Sequence, residues 1–482
     1  MAHSHRHAGR CALVSAALLL TGCVSLAPRY QAPTLPVAPR YAGDAGPEGA
    51  AAASLGWRDY FTDPLLLGLI GQALAHNRDL RTAVLRVQEA RATYGIQRAD
   101  QFPTLAAQGS LDRLRIPAIP GLTTDAETIS AYQVGLGVAS WELDFWGRVR
   151  SLKDAALETY LGTEAAQRAV TIGLIAQVAN SYLSLCELDE RIVLARATIA
   201  SRAETMRIFT RRVEVGATSR LDLTQVQTLL SQAQILGAQL EQSRASEITA
   251  LTLLVGTPID LPVVPNRLDD QHLLAELQAG LPSELLVNRP DILAAEHQLR
   301  AAHASIGAAR ADFFPRVALT SSIGTVSNDL SGLFASGSGM WRFSPSLSLP
   351  LFDGGLRRNH LKLAEVRRDL AVANYEKTVQ GAFRDVCDAL SARRWLAEQV
   401  GIARTALAVQ NERARLSRLR YDNGAAAFLE VLDAQRDLLS AEQQMVQLRR
   451  ALLSSRVSLY AALGGGLADP SATHAPPTGN AP

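Results

Sequence analysis

Few places in this chain could carry out chemistry. The 482 residues hold no GxxxxGK[ST] phosphate loop, no GxSxG nucleophile turn and no HExxH zinc pair. His3, His5 and His7 are spaced as a metal cluster might be, but they precede an apolar run at the extreme N-terminus. The acidic pair Asp269-Asp270 falls in what reads as a connecting loop. Of the four cysteines, Cys186 and Cys387 stand alone in helical sequence, and no CxxC pattern or disulfide framework is present. These observations argue against an enzyme, a metal site and a bound cofactor.

Cys23 is different. Arg6 and Arg10 precede the run Cys11 to Leu20, CALVSAALLL. Ten apolar residues are too few to span a bilayer as a helix and are the right number for a signal-peptide core. Leu20-Thr21-Gly22-Cys23 follows directly and resembles the cleavage box of bacterial envelope lipoproteins. The resemblance implies cleavage before Cys23 and a covalent lipid on its sulfur and new amino group. Lipoproteins retained at the inner membrane usually carry Asp at the next position, so Val24 points to the outer membrane. Loss of residues 1–22 removes two Arg and leaves 46 basic against 46 acidic residues, a formally neutral chain. With no long basic run, nucleic acid is not an expected partner.

The elements that would position these residues are mostly helical. Hydrophobic content is 48% but aromatic content only 5%, which suits close packing of Ala-, Leu- and Val-rich helices. A Pro-, Ala- and Gly-rich stretch, 23–56, reads as an extended tether that does not pack, and 464–482 as a disordered tail. Between them the chain repeats. Asp79, Gly95, Arg98, Phe102 and Pro103 recur 212 positions later, and Arg212, Gly216, Ala217, Leu221 and Gln227 recur 208 positions later. Such a duplication predicts repeat 1 over 57–256, a connector over 257–282 and repeat 2 over 283–463. Each repeat begins with a helix of about thirty to forty residues ending at Phe-Pro (63–101 and 283–313). Two short alternating segments follow. Then come a very long helix (148–212 and 356–420), a Gly-containing break and a last helix (219–255 and 427–463).

In the last helix Val431, Ala434, Leu438, Ala441, Met445, Leu448, Leu452, Ser455 and Leu459 alternate spacings of three and four. That 3.5-residue period marks supercoiled helices, and the stripe reads as core. At ~1.5 Å per residue the long helices approach 100 Å, more than a compact domain needs.

The alternating segments, about 104–115, 132–143, 316–325 and 341–351, have a period of two. Trp341, Phe343, Leu347, Leu349 and Leu351 oppose Arg342, Ser344, Ser346 and Ser348; Tyr132, Val134, Leu136 and Val138 oppose Gln133 and two glycines. Each is long enough to cross a membrane as a tilted strand, with apolar side chains toward lipid. Four strands cannot close a barrel, and open edges in lipid are costly, so several chains must share one barrel.

The cleavage box, PRYQAP (28–33), SWELDFWGR (140–148), NRPDI (288–292), LPLFDGGLRR (349–358) and RYDNGAAAFLEVLDAQRDLL (420–439) together resemble the outer-membrane efflux channel family. The nearest branch is its TolC/NodT-type lipoproteins, which serve resistance-nodulation-division pumps. The resemblance implies a mainly α fold with a membrane β-barrel portion. A homotrimer would form a shared 12-stranded barrel and a long periplasmic α-helical barrel. It further implies docking of a periplasmic adaptor at Val215, Gly216, Ala217, Asn423, Gly424 and Ala425, an inner-membrane pump as third component, and a periplasmic gate at Tyr421, Asp422, Leu429 and Asp433. Some relatives carry a basic residue where Asp422 stands, so a ring of acids narrowed by Leu429 is the expected form of gate here. Two alternatives share parts of this pattern: the outer-membrane channel of a type I secretion system, and a structural coiled-coil envelope lipoprotein.

Overall fold

A computed structural model describes residues 26–34, 36–38, 41, 50–51, 55–118, 125–261, 268, 277–278 and 284–465. Cys23, the segment 1–22, most of the connector and nearly all of the tail lie outside them. The chain forms two compact units. One holds the described parts of 1–34, 86–163 and 294–375; the other holds those of 35–85, 164–293 and 376–482. In chain order the elements are β1 (Ala50–Ala51), α1 (Trp57–Tyr60), α2 (Pro64–His76), α3 (Arg78–Ala99), β2 (Leu105–Ile116), β3 (Glu127–Glu142), α4 (Arg148–Glu214) and α5 (Arg220–Val255). Then follow β4 (Leu277–Gln278), α6 (Leu285–Asn288), α7 (Pro290–Ala311), β5 (Arg316–Ser327), β6 (Gly339–Ser348), α8 (Leu356–Asp422) and α9 (Phe428–Ala462). Both long helices have 67 residues and begin 208 positions apart.

The first unit is built on an antiparallel sheet in the order β2-β3-β5-β6. Its register sorts the side chains. Leu105, Leu111, Tyr132, Val134, Leu136, Val138, Leu319, Ile323, Trp341, Phe343 and Leu347 fall on one face. Gln108, Ser110, Gln133, Thr320, Ser322, Arg342, Ser344 and Ser346 fall on the other. Most of the large apolar residues on the first face are exposed. Opposite Gly135 stands Gly324, so close that a Cβ on Gly135 would lie 2.5 Å from the Ile323 carbonyl oxygen. β3 carries one extra residue between Val138 and Trp141, a bulge in which Ser140 takes a φ of 49°.

Two strand ends differ from expectation. β3 starts at Glu127, not 132, because Thr128 and Ser130 pair with Arg115 and Arg113. Beyond Asp112 the apolar side of the alternation switches faces, so the periodic signal stops while the backbone ladder continues. β6 spans Gly339–Ser348 and not 341–351, since Pro350 lacks the N–H a ladder needs and its carbonyl instead accepts from Arg357 at 2.5 Å. Each strand-to-helix joint is held by the Asp of its motif. Asp144 accepts from the Val149 and Arg150 amides at 3.1 and 2.8 Å, and Asp353 from the Gly355 and Arg357 amides at 3.0 and 3.3 Å.

The tether is a further correction. Residues 26–34 are extended, yet Ala27 lies over Gly307 of α7, where a Cβ would come within 2.8 Å of it. Tyr30 donates to Glu296 at 3.1 Å, and its ring meets His303 edge-on at 5.6 Å. The missing side chain of Gly307 opens a slot that a composition-based reading cannot see.

The second unit is helical. The first helix of each repeat is broken, not continuous: Asn77 separates α2 from α3, and Arg289 separates α6 from α7. Pro290 disfavours helical geometry at Arg289. Asn77 instead caps α3, its Oδ1 accepting from the Leu80 amide at 2.9 Å. Both break residues also reach the end of the last helix of their repeat. Asn77 donates to the Leu254 carbonyl at 2.8 Å and Arg289 to the Ala462 carbonyl at 3.0 Å. These pairs are equivalent positions, so the two repeats use one joint. Burial works against the Arg289 charge, but Asp291 and Asp385 hold its pKa above the ordinary value. An aromatic core lies nearby, with Tyr60 and Tyr460 stacked at 4.3 Å and Phe61 edge-on to both.

The α9 stripe is buried at Val431, Ala434, Leu452, Ser455 and Leu459, and α5 carries a like stripe in which Val226, Ala233 and Leu240 are buried and Leu223, Leu230 and Gly237 half-buried. In α9, Leu438, Ala441, Met445 and Leu448 are only half-buried, and Leu439, Gln443, Val446 and Leu453 on the adjoining face are buried. There α9 also meets α4: Arg191 donates to Gln443, and Arg450 donates to Glu187 at 2.9 Å.

Candidate functional site: the paired helical tips

All the residues of this site belong to the second unit. α4 reverses into α5 at 215–219, and α8 into α9 at 423–427. The first reversal closes with the Gly216 amide donating to the Val213 carbonyl at 3.0 Å and the Ala217 amide to Arg212 at 2.7 Å. The second repeats it, Gly424 to Tyr421 at 2.9 Å and Ala425 to Arg420 at 2.8 Å. Both are Schellman closures, with φ of 74° at Gly216 and 72° at Gly424. Nothing lies within 4 Å of a Cβ at either glycine, so only the positive φ demands it.

Beyond the glycines the two tips differ. Ser219 caps α5 in a full capping box with Asp222, and Thr218 donates to the same carboxylate at 2.8 Å. The Ser219 and Thr218 hydroxyls pull the Asp222 pKa below its usual range. The matching cap of α9 is Ala427, which has no side-chain acceptor. There Arg420 clamps the tip, donating to Glu430 at 2.8 Å and to the Ala425 carbonyl at 3.3 Å.

The tips also touch each other. Arg212 donates to the Tyr421 hydroxyl, and its guanidinium lies 5.7 Å from the Phe209 ring and 6.0 Å from the Tyr421 ring. Phe428 sits 4.5 Å from Phe209 and 4.8 Å from Tyr421. Phe209, Val226 and Leu432 form a buried cluster beneath. Just above, the buried Arg202 donates to the Leu229 carbonyl at 2.6 Å, and burial lowers its pKa. Arg413 bridges α8 to Asp437 of α9 at 2.6 Å and holds the Asp437 pKa down.

This arrangement brings Tyr421 into the tip cluster and leaves Leu429 exposed. Asp422 pairs with Arg418 at 3.1 Å and Asp433 with Arg436 at 3.4 Å, each on its own helix, so neither acid is uncompensated. Val215, Gly216, Ala217, Asn423, Gly424 and Ala425 lie in the two reversals, and all six are exposed. Sequence reasoning missed Phe209, Arg212 and Phe428. Arg212 and Arg420 recur as a pair, but Val213 stands where the second repeat has Tyr421, so the two arginines take different partners. No group of His, Cys, Asp and Glu among the described residues is arranged to hold a metal.

The family model for "Outer membrane efflux protein" matches residues 69–257 and again 281–465. The chain belongs to that family. The two matches start 212 and end 208 positions apart, the same offsets as the internal repeat. The chain is 44% identical over 459 residues to the solvent efflux pump outer membrane protein SrpC of Pseudomonas putida, covering 93% of this chain and 97% of that one. It is 43% identical over 450 residues to outer membrane protein OprJ of Pseudomonas aeruginosa, covering 93% and 94%. The open state of the Neisseria gonorrhoeae MtrE outer membrane channel superposes with a TM-score of 0.84 at 40% identity, covering 92% of this chain and 99% of that one. This efflux-family chain is therefore an outer-membrane protein with the fold of the TolC-type channels, and an outer-membrane efflux component.

Proposed function

We propose that three copies of this chain form the passive exit duct of a tripartite efflux system. One observation carries the proposal: an open-edged sheet with an exposed apolar face. Among the described residues β2 pairs only with β3 and β6 only with β5, which leaves one side of each edge strand unpaired. In lipid, such edges must be paired by further chains, and three copies supply twelve strands. Energy for transport comes from the pump, since this chain carries no nucleotide loop. Purification in detergent, followed by mass determination and single-channel recording, tests the reading. A conducting trimer is expected; a non-conducting monomer would overturn it.

The two tips serve as docking points for the periplasmic adaptor, through Val215-Gly216-Ala217 and Asn423-Gly424-Ala425. Cysteine placed at Val215 or Asn423 is expected to cross-link to the adaptor, and cross-links from strand loops alone would reject this. Tyr421, Asp422, Leu429 and Asp433 line the closed end in the resting state. The Arg212–Tyr421 contact holds the two hairpins of one chain together there. Cys23 carries the lipid. The name of SrpC specifies solvents for that protein; a pump partner selects the cargo here.

A further inference from the structure

The β2–β3 hairpin outgrows the rest of its sheet. The β3–β5 ladder ends at Tyr132 opposite Ser327, whereas the β2–β3 ladder continues through five more pairs, from Asp112 with Ala131 to Ile116 with Glu127. In this projecting ribbon the polarity of the two faces inverts. The face that carries Leu105, Leu111, Tyr132 and Val134 continues as Arg113 opposite Ser130 and Arg115 opposite Thr128. The other face, polar at Gln108 and Ser110, continues through Asp112 to Leu114 opposite Ile129, and then Ile116. The inversion sits at the turn end of the hairpin, away from α3 and α4.

An outward face that changes from leucine to arginine has left hydrocarbon. Both arginines are exposed, and neither has an acid partner among the described residues. The helix end of the same sheet is built differently. There Arg148 pairs with Glu142 at 2.7 Å, Arg316 with Glu142 at 3.3 Å and Arg357 with Asp353 at 2.6 Å. Positive charge is neutralised within the chain at one rim and left open at the other. Two guanidiniums on one strand face are forks for phosphate oxygens, and their stems can lie along Leu111 and Tyr132. At the usual strand rise they stand about 7 and 13 Å past Leu111, so they reach phosphates at two depths. A phospholipid headgroup offers one such layer, and a glycolipid phosphorylated on its sugars offers more than one. We propose that Arg113 and Arg115 bind the sugar phosphates of a phosphorylated glycolipid in the outer leaflet. The inference rests on the membrane reading of the sheet, which places the hairpin turn outside the cell. It adds to that reading a lipid-recognition surface on the chain's outer rim.

The test titrates purified full-length protein in detergent with bisphosphorylated lipid A and reads bound lipid by native mass spectrometry. Arg113→Gln with Arg115→Gln is expected to weaken lipid A binding about tenfold or more and to flatten its salt dependence. Both side chains are exposed, so the assembled mass of the protein should not change. Arg342→Gln, on the opposite face of β6, is the control and should bind lipid A as the parent does. Lipid A stripped of its phosphates should bind the parent no better than lipid A binds the double variant. A double variant that holds lipid A like the parent would overturn the site. Phosphatidylglycerol bound as tightly as lipid A by the parent would overturn the assignment to a glycolipid. Either result, obtained on a conducting trimer, leaves the channel reading intact. A parent protein that forms no conducting trimer would overturn both.

Discussion

At the residue scale, glycines with similar φ angles carry different constraints. Gly216 and Gly424 sit in open space, so alanine there meets only the strain of positive φ, about 1 kcal/mol each. Gly256 has a φ of 79°, and its Cβ would lie 2.5 Å from the His76 carbonyl oxygen, so Gly256→Ala adds a backbone clash. Thermal melts in detergent should rank Gly256→Ala well below Gly216→Ala; equal losses would contradict the assignment. Asp422 and Asp433, proposed above to line the closed end, are balanced by Arg418 and Arg436. Asp422→Ala with Asp433→Ala should therefore leave net positive charge and shift selectivity toward anions in planar bilayers. Unchanged selectivity would remove these residues from the lumen.

At the element scale, the two hairpins are equivalent in backbone and distinct in how their ends are fastened. Arg212→Ala removes one hydrogen bond and two ring contacts between them, a loss of about 1 kcal/mol on the usual scale for such bonds. The expected result is higher resting conductance with unchanged assembly, read from single-channel recordings. Acid should loosen the same region. Asp222 and Asp437 have folded-state pKa values below their ordinary ones, lowered chiefly by the Ser219 hydroxyl and by Arg413. The stabilisation they contribute is thus present above the usual carboxylate range and is lost as pH falls through the folded values. Amide protection factors at 218–222, corrected for the intrinsic pH dependence of exchange, should fall on acidification in the parent protein and depend less on pH in Asp222→Ala.

At the scale of the whole molecule, the sheet presents an apolar face to a membrane, and the lipid proposed at Cys23 would be a separate attachment. Cys23→Ser should abolish palmitate labelling yet leave the protein in the outer-membrane fraction, because the exposed face of Trp341, Phe343 and Leu347 still inserts. Gly324→Val should act in the opposite way. A side chain there would drive into the β3 backbone at Val134 and Gly135, splitting the sheet at its middle pair and blocking insertion. Fractionation of the two variants separates anchoring by lipid from anchoring by strands.

The sequence alone determined whatever depends on near neighbours along the chain. The long helices and their lengths, the Gly reversals at 216 and 424, the alternation in four strands and the duplication are all patterns of period two, three-and-a-half or about two hundred. The ends of β3 and β6 were less legible, because a ladder continues past the point where its apolar face stops. The helix breaks at Asn77 and Arg289 were hidden for a related reason: their polar groups are satisfied by carbonyls at Leu254 and Ala462, well over a hundred residues away. Only the tertiary structure decided that Arg212 reaches Tyr421, that Ala27 fills the slot over Gly307, and that α9 turns a second face to α4. Each such contact joins residues far apart in the chain, and its geometry depends on how whole helices lie against one another. No local pattern of residue types encodes that.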